Sequence, residues 1–484
     1  MRLSDLLNID AGTEMLRREI TGLTADSRAV REGYLFAALS GTQVDGRRFI
    51  PSALEKGAKA ILVEKGSVVE PSSAYIHAVD NPRKELAILS RRFFGEPPET
   101  IVGVTGTNGK TSVAHFVQAI WSEMGIRGGS LGTLGIVTAE DVEDLGYTTP
   151  EPVLMHEKLA KLASKGISHL AIEASSHGLD QFRLDGLPMR AGAFTNLTHD
   201  HLDYHATEEE YLEAKLGLVK RVVMNNGTAV LNADAQHFYA FKEAANDRGL
   251  DILSYGRNGG DLKLLDVSSH GSGQQITVDI FGSRYSFDLR VAGEFQAMNI
   301  LCALGLVIGA GGDHVAAITA LPKIASVPGR MEHVARTSQD ADVYVDYAHT
   351  PDALKTVLEA LRPHTEGKIH VLVGCGGDRD RAKRPIMGKI AADLADEVYV
   401  TDDNPRSEDP SLIRKAVLQG CPQAHEIGDR EKAIFAAMQN AMANDVILIA
   451  GKGHESGQTI GDQVIPFNDK DVAQKLAREN GGEI

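Results

Sequence analysis

The chain has 484 residues, 43% of them hydrophobic, which is long and apolar enough for several ordinary globular cores. It carries 50 Lys and Arg against 66 Asp and Glu, and the net charge of −16 argues against a nucleic-acid binder held by phosphate contacts. No apolar run approaches the roughly 18 residues of a membrane span and no signal-peptide pattern opens the chain, so we expect a cytoplasmic protein without a membrane partner.

The first segment, to about residue 98, mixes strand-like runs at 34–39 and 60–64 with helical runs at 51–57 and 84–94. This alternation predicts a small α/β domain. Its polar and basic loops at 24–28 and 40–48 are places where a ligand could sit, although such loops taken alone are more often only solvated. The sequence Gly-Glu-Pro-Pro that ends the segment is typical of a turn and predicts a linker.

The second segment, residues 99–328, begins with IVGVTGTNGKT at 101–111. A buried strand there runs into a glycine-rich turn and then a helix, which is the arrangement of a phosphate cradle. Gly106 and Gly109 let backbone N–H groups approach an anion, Lys110 can reach terminal phosphates, and the Thr111 hydroxyl can hold Mg²⁺. The general pattern G-x-x-x-x-G-K-[ST] is not fully met, because valine stands five residues before the second glycine. The alternative is a strand-to-helix turn that merely contains glycines.

The rest of this segment alternates strands and helices, as a mostly parallel sheet does. Further strands are predicted at 169–173, 191–194 and 227–232, with antiparallel strands within 276–289 and a helix opening near Asn299. Polar residues directly follow two of the strands, at 173–178 and 195–205. Ligands bind at that edge of open α/β sheets, so the sequence predicts a site there.

The third segment, residues 329–484, alternates again, with strands predicted at 343–346, 369–373, 397–401 and 446–450. This pattern predicts a doubly wound, Rossmann-like domain. Three of the strands end in polar loops, at 374–380, 402–406 and 451–455. Because carboxyl ends of parallel strands share an edge, the three loops are expected to converge.

Several side chains in the second segment have competing interpretations. Thr111 and Glu173 are natural oxygen ligands for Mg²⁺. His199, His201 and His205 lack clearly placed zinc partners and could equally be solvated loop histidines. Lys215, inside a helical stretch at 208–221, would by position alone be a surface lysine. The three cysteines, Cys302, Cys375 and Cys421, have no metal-ligand spacing and indicate buried thiols in a reducing compartment.

Six features together resemble a known family: the TGTNGKT loop at 105–111, the EASSHG run from Glu173, Asp200-His201 with Lys215 downstream, the Asn299 helix, GRME at 329–332 and DYAH at 346–349. They resemble the ATP-dependent Mur ligases of peptidoglycan synthesis, whose own phosphate loop is Gly-Thr-Asn-Gly-Lys-Thr. The resemblance covers essentially the whole chain in order. It implies three domains: a UDP-binding domain at 1–98, an ATPase-type domain at 99–328 and an amino-acid-binding domain at 329–484.

The resemblance also implies an activity. The chain is similar to the members that add the third residue to UDP-N-acetylmuramoyl-L-alanyl-D-glutamate, through an acyl phosphate on the D-glutamyl γ-carboxyl. Asp403-Asn404-Pro405-Arg406 matches the motif of members that use meso-diaminopimelate, whose far carboxylate Arg406 could grip with two parallel N–H bonds. Lysine lacks that carboxylate, so discrimination of about 10⁴-fold is expected. The same tetrapeptide at Asp80 is interpreted as the start of a helix.

Residue roles follow from the resemblance position by position. The implied catalytic residues are Lys110, Glu173, His201 and a carbamylated Lys215. The implied ligands of two Mg²⁺ ions are Thr111, Glu173, His201 and the Lys215 carbamate. ATP is assigned to Gly106, Thr107, Asn108, Gly109, Lys110, Thr111, Ser112, Asn299, Arg330, Asp346 and His349. The UDP-muramoyl-dipeptide is assigned to Ala25, Ser27, Thr42, Gln43, Val44, Thr148, Thr149, Ser175, Gln181 and Arg183. Diaminopimelate is assigned to Arg379, Asp403, Asn404, Pro405, Arg406, Gly451 and Glu455.

We therefore expect a monomeric ligase whose partners are these small molecules, acting in cell-wall biogenesis and hence in cell shape and division. The nearest rival is a related ligase that uses L-lysine or extends folate with glutamate. From other classes, a phosphate-loop ATPase or GTPase switch would need only the second segment, and a pure nucleotide-binding module would have no use for Glu173, His201 and Lys215 together.

Overall fold

Three β-sheets with packed helices follow one another along the chain. The computed structural model describes residues 1–41, 44–198, 204–205, 207–271 and 273–484. The strands of the first sheet are β1 (Gly22–Thr24), β2 (Tyr34–Ala37), β3 (Ala60–Glu64) and β4 (Tyr75–Val79). Those of the central sheet are β5 (Thr100–Thr105), β6 (Gly128–Gly132), β7 (Gly135–Thr138), β8 (Val142–Glu143), β9 (His169–Glu173), β10 (Met189–Phe194), β11 (Val223–Asn232), β12 (Asp251–Gly256), β13 (Leu262–His270), β14 (Gly273–Ile280) and β15 (Ser283–Leu289).

The third sheet and a separate hairpin complete the strands. The third sheet contains β16 (Glu332–Arg336), β17 (Asp342–Asp346), β18 (Ile369–Val373), β19 (Glu397–Val400), β20 (His425–Glu426) and β21 (Val446–Ala450), and the hairpin is β22 (Gly457–Ile460) with β23 (Gln463–Pro466). The α-helices are α1 (Leu3–Leu7), α2 (Ile50–Glu55), α3 (Pro82–Phe94), α4 (Lys110–Glu123), α5 (Pro152–Ser164), α6 (Ser176–Asp180), α7 (Glu208–Gly217), α8 (Phe238–Asp247), α9 (Glu294–Gly309), α10 (His314–Ala320), α11 (Pro351–Leu361), α12 (Lys383–Leu394), α13 (Pro410–Leu418), α14 (Arg430–Asn440) and α15 (Asp469–Glu479).

The first sheet is parallel, in the order β1-β2-β3-β4. Its leucines pack against α1 and α3, whose Leu86 and Leu89 are fully buried. Helix α3 begins at Pro82, and the Asn81 side chain accepts the backbone N–H of Lys84 as its N-cap. The interpretation of the first Asp-Asn-Pro-Arg copy as the start of a helix is therefore confirmed.

The central sheet has eleven strands in the order β15-β14-β13-β12-β11-β10-β5-β9-β6-β7-β8. The seven strands from β13 to β6 are mutually parallel, whereas both ends of the sheet are antiparallel hairpins. Helices cover both faces: α4 and α9 form one core with the sheet, and α5, α7 and α8 form the other. The predicted mostly parallel sheet, with antiparallel strands near residues 276–289, is confirmed.

The third sheet has the order β16-β17-β21-β18-β19-β20, and only the edge strand β16 runs antiparallel to its neighbour. Helices α11, α12 and α13 cover one face, while α14 and α15 cover the other. The doubly wound arrangement predicted from the alternation of strands and helices is confirmed.

Some local expectations need correction or addition. The helix predicted at 208–221 ends at Gly217, and a π-helical turn, Leu218–Val222, follows. The hairpin β22–β23 was not predicted, because neither of its strands has a buried face that would produce an alternating hydrophobic pattern. All three cysteines are buried thiols without disulfides, as expected. Within the described ranges, no helix has the length and apolar character needed to cross a bilayer.

Candidate active site

The phosphate loop lies where β5 ends and α4 begins, between the neighbouring strands β9 and β10. Gly106 (φ +155°) and Gly109 (φ +88°) adopt backbone conformations that residues with a side chain rarely adopt. A Cβ at Gly106 would clash with Thr195 Oγ1, and one at Gly109 would lie 2.5 Å from Asn299 Oδ1. Both positions therefore require glycine, and the loop presents the N-terminus of α4, where an anion is favoured.

Two lysines meet one backbone oxygen in this loop. Lys110 Nζ donates to the carbonyl oxygens of Gly106 and Thr107 at 2.8 Å each, and Lys215 Nζ donates to the same Gly106 oxygen at 2.8 Å. Lys215 is only 1% exposed and lies over the Tyr211 ring, 4.3 Å from its centroid. The interpretation of Lys215 as a surface lysine is therefore wrong, because α7 turns this residue towards the loop. Two ammonium groups so close together repel each other, which favours an anion beside them.

Glu173, the last residue of β9, is buried beside the first turn of α4. Its Oε2 accepts hydrogen bonds from the hydroxyls of Thr111 (3.0 Å) and Thr133 (3.2 Å), and its Oε1 accepts the backbone N–H of Thr133 (2.8 Å). The Thr133 hydroxyl in turn lies 3.1 Å from that of Thr148. The Glu173 carboxylate thus accepts hydrogen bonds from two hydroxyl groups and one backbone N–H next to the phosphate loop.

These oxygens fit a magnesium ion. Among the described residues no Lys or Arg forms an ion pair with Glu173, so its buried charge lacks the compensation such groups usually have. A carboxylate and a threonine hydroxyl beside a phosphate site are ligands that Mg²⁺ prefers. The described residues contain no cluster of three or more His, Cys, Asp or Glu suited to a metal, and His201 lies outside them together with His199.

The third sheet contributes side chains to the same place. Arg330 Nη2 donates to Thr111 Oγ1 at 3.3 Å, and the Arg330 guanidinium lies 4.3 Å from the centroid of the Tyr347 ring. Asp346, at the end of β17, accepts the backbone N–H groups of Met331 and Ala348 at 2.7 Å each. Burial raises the pKa of Asp346 to about 6, although the positive charge of Arg330 and both backbone bonds act in the opposite direction.

One cavity of about 790 Å³ joins these groups. The predicted nucleotide-site residues that line it are Thr107, Asn108, Gly109, Lys110, Thr111, Ser112, Asn299, Arg330, Asp346 and His349, and Glu173, Lys215, Thr148, Thr149, Ser175 and Arg183 line it as well. Gly106 and Gln181 stand just behind this lining, since Gly106 bonds both lysines and Gln181 bonds Arg183. The cavity volume is in the range of a site for a nucleotide-sized ligand.

The candidates for the muramoyl-dipeptide in the central unit form one hydrogen-bonded chain. Thr149 Oγ1 donates to the backbone oxygen of Glu173 at 2.8 Å and accepts the Ser175 hydroxyl at 2.9 Å. Arg183 donates to the Thr149 backbone oxygen (2.7 Å) and to Gln181 Oε1 (2.7 Å). Ser175 also caps α6 by accepting the N–H of Gly178. These residues therefore lie side by side at the end of β9, next to Glu173.

In the third unit the three polar loops converge as predicted. Asn404 Nδ2 donates to Glu455 Oε2 at 2.8 Å, which joins the second loop to the third. Arg406 Nη1 donates to the Gly377 backbone oxygen at 2.9 Å, which joins the second loop to the first. A Cβ at Gly451 (φ +113°) would lie 2.8 Å from Asp403 Oδ2. These loops do not line the large cavity.

Arg406 and Arg379 are available for an anionic group. Within the described chain no carboxylate forms an ion pair with either guanidinium; Arg406 is half-buried, and Arg379 is exposed. Pro405 and Asp403 are buried beneath them. The predicted residues of this site are therefore together, with two cations at its surface and the Glu455 carboxylate nearby.

The first-unit candidates lie apart from the cavity. Ala25 and Ser27 follow β1, and Val44 follows the adjacent parallel strand β2, so both loops lie at the carboxyl edge of this sheet. Ala25 and Val44 are exposed, and the Ser27 backbone oxygen accepts Lys56 Nζ at 2.7 Å. Thr42 and Gln43 lie outside the described residues.

Sequence reasoning gave no individual role to several residues that organise the site. Thr133, which holds Glu173, follows the short strand Gly-Gly-Ser-Leu-Gly, whose three glycines give little strand signal. Asn196 accepts the N–H of Asn108 at 2.9 Å and so supports the phosphate loop. Tyr347 was noted only as part of a motif, and Lys452 only as part of a loop. For Asn196, its position directly after a strand was the available signal.

The chain matches known proteins over nearly its entire length. Three family profiles match in order: Mur ligase family, catalytic domain at residues 19–93; Mur ligase middle domain at 104–307; and Mur ligase, glutamate ligase domain at 329–453. A Mesorhizobium japonicum protein named UDP-N-acetylmuramoyl-L-alanyl-D-glutamate–2,6-diaminopimelate ligase is 46% identical over 481 residues, 99% of each chain. A protein of the same name from Caulobacter vibrioides is 47% identical over 486 residues, again 99% of each chain.

A solved structure of a protein with that name agrees with these matches. It is 32% identical, covers 99% of both chains and superimposes with a TM-score of 0.75. The middle-domain match at 104–307 spans the phosphate loop and Glu173, and the glutamate ligase domain match at 329–453 spans the first two polar loops of the third sheet. The chain belongs to the Mur ligase family.

Proposed function

We propose that the chain is an ATP-dependent, ADP-forming amide ligase that joins meso-diaminopimelate to the D-glutamyl γ-carboxyl of UDP-N-acetylmuramoyl-L-alanyl-D-glutamate. The name shared by its relatives of 46% and 47% identity supports this activity. The observation that carries it is a cavity in which the phosphate loop, Glu173 and Arg330 meet the Thr149–Ser175–Arg183 chain. A nucleoside triphosphate and a carboxylate substrate can meet there.

The chemistry requires activation of a carboxylate, because oxide is not a viable leaving group. A γ-carboxylate oxygen attacks the γ-phosphorus of ATP, the bond to the bridging oxygen breaks, and ADP leaves. Lys110 and Arg330, which both line the cavity, would neutralise the charge of the phosphoryl group as it is transferred. The diaminopimelate amine then attacks the acyl carbon, loses a proton and expels phosphate, so that an amide forms.

We further propose that Thr111 and Glu173, with His201, would hold two Mg²⁺ ions, whose chemistry when bound is to neutralise phosphate charge. A carbamylated Lys215 would add an oxygen ligand. In support, Lys215 is buried beside the phosphate loop, where conversion of its ammonium to a carbamate would remove the repulsion from Lys110. In the protein itself, Lys110 and Lys215 bond the backbone of the phosphate loop, and Thr111 bonds the Glu173 carboxylate.

The three units would each take one substrate: residues 1–98 the UDP moiety, 99–328 ATP and 329–484 the amino acid. Arg406, Arg379 and Glu455 suit the far end of diaminopimelate, which carries both a carboxylate and an ammonium. We propose further that the protein acts in the cytoplasm, as a monomer, in peptidoglycan precursor synthesis and hence in cell shape and division.

The test is phosphate release from ATP and Mg²⁺ with UDP-N-acetylmuramoyl-L-alanyl-D-glutamate, comparing meso-diaminopimelate, L-lysine and no amino acid. We expect release that requires diaminopimelate and that lysine supports about 10⁴-fold less well. Equal release with lysine would overturn the assignment of Arg406. Release without any acceptor would favour a simple nucleoside triphosphatase.

A matched pair of variants tests whether Arg406 causes the preference for diaminopimelate over lysine. Arg406→Gln is expected to lose most of the preference for diaminopimelate, since the far carboxylate loses its bidentate partner. Arg381→Gln removes a guanidinium that is 73% exposed and pairs with Glu408 in the neighbouring loop, so it should keep the preference. Equal behaviour of the two variants would contradict the role of Arg406.

A further inference from the structure

The most deeply buried cation among the converging loops is Lys452, which is 0% exposed. Its Nζ donates to Asn404 Oδ1 (3.2 Å), Glu455 Oε2 (3.0 Å) and the Gly457 backbone oxygen (2.6 Å). An ammonium group has three protons, so these three acceptors use all of them. Lys452 is therefore an internal group of the protein and is not available to bind a substrate carboxylate.

The Asn404 side chain also forms three hydrogen bonds within the protein. Its Oδ1 accepts the backbone N–H of Thr459 (2.9 Å) as well as Lys452, and its Nδ2 donates to Glu455 Oε2 (2.8 Å). Glu455 Oε2 consequently receives two hydrogen bonds. Within the described residues Glu455 Oε1 receives none, and the side chain is 32% exposed. One oxygen of this carboxylate is fixed by the protein, and the other faces a site that a ligand can reach.

The hairpin β22–β23 holds the other half of the loop. Arg406 donates its backbone N–H to Thr459 O (3.0 Å) and accepts that of Gly461 (2.7 Å), and Gln458 Nε2 donates to Asp403 O (2.7 Å). These bonds maintain Arg406 at φ +51°, a conformation that costs about 1 kcal/mol or more for a residue with a Cβ. Lys452 reaches the start of this hairpin through Gly457, so one buried ammonium connects the hairpin, Asn404 and Glu455.

We propose that Lys452 is a positioning residue for the amino-acid substrate. It fixes Glu455 so that Oε1 receives the far ammonium of a diamino diacid, while the hairpin holds Arg406 towards the far carboxylate. Burial of a lysine ammonium costs free energy unless all its protons are hydrogen-bonded. Here the three protons bond Glu455 Oε2, Asn404 Oδ1 and the Gly457 backbone oxygen. This inference rests on the proposed function, because it concerns how the protein distinguishes diaminopimelate from an amino acid that lacks the far amine.

The test compares diaminopimelate with 2-aminopimelate, which keeps the reacting amine and both carboxylates but lacks the far amine. Wild-type protein should prefer diaminopimelate by about 10²-fold or more in kcat/KM. Lys452→Met should reduce this preference by about tenfold and raise KM for diaminopimelate, with KM for ATP and for the UDP-substrate within about twofold of wild type. If Lys452→Met does not fold, Lys452→Gln takes its place.

The matched control is His370→Asn, which removes a buried bond to Asp445 at the opposite edge of the same sheet and should lower stability without changing the preference. A Lys452 variant that keeps the full preference would overturn the proposal, as would equal rises in all three KM values. A wild type that accepts both amino acids equally would overturn it too. If wild type releases phosphate without any amino acid, the proposed function itself fails, which is a different result.

Discussion

At the scale of single residues, the candidate active site depends on a few side chains and on two positions that have none. Gly109, the N-cap directly before α4, has a left-handed conformation and lies against Asn299, so the loop and α9 approach more closely than a Cβ would allow. Asn299 is in turn held by Gln296, which is completely buried. A side chain added at Gly109 should therefore disturb nucleotide binding more than it disturbs folding.

We expect Gly109→Ala to lower kcat/KM for ATP by about 10²-fold, because a 1 Å displacement of positioning groups has effects of that size. The left-handed backbone should also cost about 1 to 2 kcal/mol of unfolding free energy. Steady-state kinetics and urea denaturation measure the two effects. Gly125→Ala is the control, since Gly125 has φ +75° at the end of the same helix but no neighbour within 4 Å. Equal losses of ATP affinity in both variants would contradict this argument.

At the scale of elements, helix α5 of the central unit packs on α3 of the first unit. His156 on α5 is buried, and neither ring nitrogen has a hydrogen-bond partner among the described residues. Burial, together with a smaller effect of the positive charge of Arg91 on α3, lowers the pKa of His156 to about 4. The packing of these helices therefore requires a neutral imidazole.

This requirement predicts a loss of stability in acid. The pKa of His156 rises from about 4 in the folded chain to its usual 6.5 on unfolding, so its contribution is complete above about pH 6.5 and is lost as the pH falls towards 4. Between about pH 7 and pH 5 the loss is about 2 kcal/mol. His156→Leu should remove this part of the pH dependence in urea denaturation at the two pH values.

The control for that experiment is His270→Gln, which replaces an exposed histidine that pairs with Asp288. Its stability should depend on pH as that of the wild type does. If His156→Leu and wild type lose stability in parallel between the two pH values, the neutral state of His156 is not a source of acid sensitivity.

At the scale of the whole molecule, two candidate sites have to cooperate. The large cavity brings the phosphate loop close to Arg330 and His349, but the loops that carry Arg406 and Glu455 do not line it. An acyl phosphate and an attacking amine must come within about 3.5 Å of each other to react. The third unit, or part of it, is therefore expected to move relative to the central unit before the amide forms.

We predict that saturating UDP-substrate, diaminopimelate and a non-hydrolysable ATP analogue together reduce the radius of gyration measured by small-angle X-ray scattering. Each ligand alone should have a smaller effect, because no single one contacts all three units. A scattering profile unchanged by the full set of ligands would contradict closure and would require the amine to reach the cavity by another route.

The sequence by itself determined the position of the phosphate loop, the alternation that builds both parallel sheets, and the three polar loops that converge on the third. These features depend on neighbouring residues: glycines in a turn, β-branched runs, and polar residues directly after a strand. Such local patterns fix backbone conformation and the edge at which side chains emerge.

Only the tertiary structure decided which of the polar side chains work together. Lys215 meets Gly106 across 109 residues, Thr133 meets Glu173 across 40, and Lys452 meets Asn404 across 48. The sequence around each of these side chains is equally compatible with exposure to solvent, and nothing in it indicates burial. Burial and partner choice come from packing between distant elements, which is why they became visible only in three dimensions.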